Sequence, residues 1–152
     1  MNKLYSRLNL IVFALGAVLG LISIIIPPIY IVHVKAYESP LFPMVRTGIE
    51  GMSSWSFLFL FLSGVFLGVI YPRHEPLYGM FLGFTYSKHE LLLGISTMAL
   101  FPILAFLEMM TDNNSHNLWP IEFVQYGFFT IPGICGAYAG AFIRRKLIPS
   151  HQ

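Results

Sequence analysis

The chain has 152 residues, of which 56% are hydrophobic and 11% charged, and a formal net charge of +2. A composition this apolar leaves no soluble catalytic domain, the length allows one domain over residues 1–152, and the lone Cys135 excludes an internal disulfide or a paired-cysteine redox motif. The basic balance comes from residues flanking apolar runs, so it reads as a topology signal and gives no nucleic-acid footprint.

Four uncharged apolar runs cover residues 8–26, 54–71, 91–107 and 123–143. Each approaches the ~20 residues that a helix needs to cross a hydrocarbon layer of ~30 Å. The expected fold is therefore all-α: an integral membrane four-helix bundle. Lys3 and Arg7 before the first run resemble the start of a signal peptide. The run is too long for that role and no small-residue cleavage site follows, so a retained first helix is expected. Pro27 and Pro28 are expected to end it. Residues 33–51, with Pro40 and Pro43, form the longest loop and are expected to fold over the helix ends.

The second run opens with Trp55 and leads into an internal echo. Residues 64–75 (GVFLGVIYPRHE) and 79–90 (GMFLGFTYSKHE) align without gaps, with seven of twelve positions identical. A straight helix from Pro76 to Leu107 would measure ~48 Å, beyond the hydrocarbon thickness, so the chain should bend near Lys88. The simplest arrangement lays residues 77–87 as a short helix in the membrane interface. It brings His74 and Glu75 to the depth of His89 and Glu90, four residues of metal-ligating type. Adjacent helical residues point ~100° apart, however, and neither pair extends to HExxH, so interfacial anchoring is the preferred reading and a metal site the alternative.

The third run contains Pro102 and the fourth Pro132, each near the middle of its segment. Both are expected to kink their helices by freeing the carbonyls of Met98 and Phe128. Paired interruptions at one depth point to a cavity, which Ser96, Thr97, Gln125, Thr130 and Tyr138 would line for a neutral or weakly polar ligand. Local packing, with hydroxyls satisfying the freed carbonyls, is the competing reading. Between these runs, Glu108, Asp112 and Glu122 are assigned to a loop with Trp119. Asn113, Asn114 and Ser115 form an N-x-S acceptor there, and Asp112, Ser115 and His116 lack the supporting context of a catalytic relay.

Seven of the nine Lys and Arg residues fall on one side: Lys3, Arg7, Arg73, Lys88, Arg144, Arg145 and Lys146. The positive-inside bias thus predicts cytoplasmic termini, in a plasma membrane, with Trp55 and Trp119 at the outer interface and Tyr71, Tyr78 and Tyr86 at the inner one. Small residues four apart recur at Gly16 and Gly20, Gly64 and Gly68, Gly79 and Gly83, and Gly136 and Gly140. Such stripes let helix backbones approach closely in lipid, and both internal packing and oligomerisation would use them. No ionisable residue lies inside a run, which disfavours proton coupling or a charged ion pathway. The leading expectation is a non-enzymatic bundle acting through packing, as a homo-oligomer or assembly subunit in a lipid bilayer, enclosing a pathway for a small uncharged solute. The alternative is a metal-dependent membrane enzyme using His74, Glu75, His89 and Glu90. No residue pattern names a cofactor.

Overall fold

The computed structural model describes residues 2–71, 80–81, 84–85, 88–111 and 119–147. Its fold is all-α in character: α1 (Asn2–Ile26), α2 (Pro43–Glu50), α3 (Ser54–Ile70), α4 (Lys88–Ser96), α5 (Leu100–Thr111) and α6 (Trp119–Leu147). Between α3 and α4, Met80–Phe81 (β1) pairs antiparallel with Phe84–Thr85 (β2). These four residues were expected to lie in an interfacial helix. Their aromatic and β-branched side chains suit an extended pair better.

The first helix also departs from expectation. Pro27 and Pro28 end the α-helical hydrogen bonding at Ile26, but the coil continues as a π-helix over Pro27–Val32. Two successive rings without N–H groups spoil the four-residue ladder, and the wider turn carries the helix past them. It stops at His33, which adopts the left-handed conformation with φ 56° and donates its N–H to the Pro28 carbonyl.

Two helices, Leu10–Val32 and Pro120–Leu147, are long and apolar enough to cross a membrane. Two bent pairs qualify only when each is counted as one span: α2 with α3, bent by 105°, and His89–Ser96 with α5, bent by 43°. The chain therefore has two to four candidate spans. The third run is not one kinked helix but two, whereas α6 runs unbroken through Pro132.

Glycine decides how the helices meet. A Cβ added to Gly64 of α3 would strike the Gly133 carbonyl of α6, and one on Gly68 the Ala137 carbonyl. The relation is reciprocal: Gly136 faces the Phe61 carbonyl and Gly140 the Val65 carbonyl. Only hydrogen at these Cα atoms permits such an approach. Gly94 of α4 abuts Ile134 in the same way, and Gly16 and Gly20 of α1 receive Ser96 and the Thr97 backbone. All six glycines singled out on α1, α3 and α6 are thus buried within one chain. Gly79 and Gly83 lie outside the described residues. Polar groups join the same seams, as where Ser23 of α1 donates to the Leu19 carbonyl at 2.7 Å and meets Ser63 of α3 at 2.9 Å.

Candidate functional site

Polar side chains gather at the two ends of α6. At its C-terminal end, Arg145 reaches the buried Glu90 of α4, Nη2 to Oε1, at 2.9 Å. The basic last turn of α6, with Arg144, Arg145 and Lys146, also suits the negative end of the helix dipole. Next to this ion pair on the sequence, His89 takes another direction: its Nδ1 lies 3.2 Å from the Tyr71 hydroxyl and its ring stacks on Tyr71, centroids 5.5 Å apart. His89 and Glu90 therefore diverge, as adjacent helical positions must. His74 and Glu75 lie outside the described residues. Among the described residues no three His, Cys, Asp or Glu side chains gather as a metal site.

The other end holds a small open cleft between α2, α5 and α6. Each helix contributes one face. Residues Phe101, Leu104, Ala105 and Glu108 follow the three- and four-residue spacing of one side of α5, and Glu122, Gln125 and Tyr126 do the same on α6. From α2, Arg46 binds Glu50 one turn away at 2.9 Å and lies 3.7 Å from Glu122. Glu108, only 4% exposed, accepts the Ser39 hydroxyl at 2.6 Å.

The residues before α2 are strapped to it. Ser39 Oγ accepts the Phe42 N–H at 3.0 Å, and the Tyr37 N–H donates to Thr47 Oγ1 at 2.9 Å. Thr47 in turn donates to the Pro43 carbonyl at 2.8 Å. Pro43 opens α2 where its missing N–H costs nothing. Residues 43–50 of the expected loop are thus helix α2, and the segment before it reaches the end of α5 through Ser39 and borders the cleft through Phe42.

Of the seven residues expected to line a midplane pocket, Gln125 alone borders this cleft. Ser96 and Thr97 are buried at the break between α4 and α5, where each hydroxyl returns to a carbonyl three residues back, Leu93 and Gly94, at 2.7 Å. Thr130 does likewise with Gly127 at 2.6 Å. Pro102 stands in the first turn of α5, and Pro132 and Tyr138 are half-buried along α6. The hydroxyls serve their own helices, as short polar side chains commonly do by bonding a carbonyl three or four residues back.

The expectation that ionisable groups stay outside the helices also needs correction. Glu108 and Glu122, assigned to a loop, lie in α5 and α6, and Glu90 and Glu108 are both buried. The missed signal was facial spacing: Phe101, Ala105 and Glu108, or Glu122, Gln125 and Tyr126, read as one stripe once helices are allowed to run past the apolar limits. No protein family, curated protein or solved structure matches the chain, so its functional reading rests on this geometry.

Proposed function

We propose that the chain is an integral membrane protein whose four passes form one non-enzymatic bundle. It binds a small polar solute in the cleft at its outer end and passes it on, alone or as a subunit of a larger membrane assembly. Both termini face the cytoplasm, because seven of nine basic residues fall on that side. The observation that carries the reading is the cleft itself. Three carboxylates, a guanidinium and an amide line it, together with the apolar side chains of α2, α5 and α6. Ionisable groups are costly in such surroundings and mark solute sites when they face a common space.

This lining changes the expected solute. An uncharged apolar molecule would add nothing to the bonds that Glu108 and Glu122 already make with Ser39 and Arg46, whereas a compound with hydrogen-bond donors can share those carboxylates. The apolar wall of Phe42, Leu104 and Ala105 would hold its carbon skeleton. Assembly through the glycine stripes is not required, since α1, α3, α4 and α6 use them on one another. Oligomers would instead meet through other faces.

The test is thermal stabilisation of detergent-purified protein by a panel of small amines, alcohols, amino acids and sugars. A saturable rise in Tm that Gln125→Ala and Glu122→Gln abolish supports the reading. No shift across the panel, or one that both variants retain, overturns it. Labelling of cysteines placed near each terminus, in a Cys135→Ser background, checks the topology: reaction from outside intact cells at one terminus alone would refute four passes, and at both would invert the orientation.

A further inference from the structure

The cleft has one wall built differently from the others. Helix α4 is wedged against α6 through Gly94 and against α1 through Gly16 and Gly20, whereas α5 makes no such glycine contact and meets α1, α3 and α6 through the buried side chains of Phe101 and Ala105. What joins α5 to α4 is a tight turn. Thr97, Met98 and Ala99 donate to carbonyls three residues back, at 3.3, 3.0 and 3.2 Å, and Phe101 donates to Met98 at 3.2 Å. Pro102 has no N–H for the Met98 carbonyl, and the Ser96 and Thr97 hydroxyls compete for those of Leu93 and Gly94. The regular ladder is thus interrupted at one point, where the axis bends by 43°.

That point is seated on a fixed support. A Cβ on Gly20 would lie 2.8 Å from Thr97 Cα and closer still to its carbonyl, so α1 grips the turn itself. Beyond the grip, Phe101 and Ala105 sit in the core, while Ile103, Phe106, Leu107 and Met110 face outward. The next side chain on the buried face is Glu108. It is tied by the Ser39 hydroxyl to the segment before α2, which borders the cleft through Phe42.

We infer that α5 is a hinged wall: it pivots at Thr97–Ala99 and is latched shut over the cleft by the Ser39–Glu108 hydrogen bond. This rests on the reading of the cleft as a solute site and supplies its regulation. A solute donor that reaches Glu108 competes with Ser39 for the carboxylate, so entry of the solute releases the latch. Helix interruptions of this kind are known points of bending, and without a backbone-to-backbone seam on α5 the cost of opening falls on the side-chain packing of Phe101 and Ala105.

The experiment follows the reactivity of Leu104→Cys, on the cleft face of α5, toward a water-soluble maleimide in Cys135→Ser protein in mild detergent. Ser39→Ala should raise that rate about tenfold, because a hydrogen bond to a carboxylate is worth at least one decade in an opening equilibrium. Ser39→Thr, which keeps the hydroxyl, should restore the parent rate, and Pro102→Ala, which returns a donor to Met98, should lower it. Ile121→Cys, exposed on α6, should react equally in all of them. An unchanged rate at residue 104 in Ser39→Ala overturns the hinge, and so does a rise at residues 104 and 121 alike, which would signal general loosening. Because no solute is present, the two readings separate. Stabilisation by a panel compound without latch-dependent labelling removes only the hinge, and latch-dependent labelling with no stabilisation by any panel compound removes only the solute site.

Discussion

The seam between α3 and α6 and the cleft between α2, α5 and α6 solve opposite problems with the same helix. Along the seam, four glycines present backbone to backbone, and nothing larger than hydrogen fits. In the cleft, α6 turns long polar side chains toward partners that stand across an open space. In a bilayer, where the proposed function puts these helices, burying apolar surface would give little drive for helix association, so adhesion has to come from close contact, and a region without close contact is held by a few polar bonds. The seam should therefore be intolerant of added volume and the cleft of lost polarity.

The sharpest test of that contrast enlarges the seam. Gly136→Leu would drive a side chain into the Phe61 carbonyl, and α3 cannot retreat without opening its contacts at Gly64 and Gly68. We expect a loss of ~3 kcal/mol or more, seen as aggregation in mild detergent and loss of protease resistance. A monodisperse, protease-resistant variant would break the comparison. Next in size is Glu90→Ala, which leaves Arg145 without its partner at the C-terminal end of α6. Breaking a buried pair costs ~3 kcal/mol, reduced here to ~2 kcal/mol because the Arg145 side chain is 25% exposed. Unfolding in denaturant should show it, and Glu90→Gln should recover part of the loss through its remaining amide hydrogen bond.

Within the cleft the expected balance reverses. Arg46→Gln removes a half-exposed ion-pair partner of Glu50 and Glu122, so stability should fall by only ~0.5 kcal/mol. Solute-induced stabilisation should fall much further, because two carboxylates lose their fixed orientation. Equal losses in both would place Arg46 with the scaffold. The smallest effect sharpens the glycine argument by exception: Gly127 is exposed on α6, and a Cβ there meets nothing within 4 Å. Gly127→Ala should be neutral or stabilising by up to ~1 kcal/mol through helix propensity, measured by the same unfolding assay.

Particular residues show what could be read before the fold was known. The glycine pairs at 16 and 20, 64 and 68, and 136 and 140 announced packing stripes, because spacing by four is a property of one helix. Which stripe met which could not be read, since Gly64 finding the Gly133 carbonyl is a relation between segments about seventy positions apart. Pro102 announced an interruption, yet its extent was hidden: two hydroxyls and the Gly20 contact turn a kink into a break. Pro132 carries the same chemistry inside an unbroken α6 packed along α3 and α4. The candidate pocket failed for a related reason. Ser96, Thr97 and Thr130 were placed by depth alone, and short hydroxyl side chains reach their own helix carbonyls before they reach across a bundle.

The amino-acid sequence by itself determined the apolar runs, their helical character, the basic asymmetry of the flanks and the stripes of small residues, all of which follow from composition and spacing along one chain. Only the tertiary structure decided that the stripes are spent on one another, that Glu90 and Glu108 are buried, and that Arg46, Glu122 and Gln125 share a cleft. Burial and convergence depend on the rotation and offset of packed helices. Those are fixed by contacts between distant segments and leave no mark in the local pattern of any one of them.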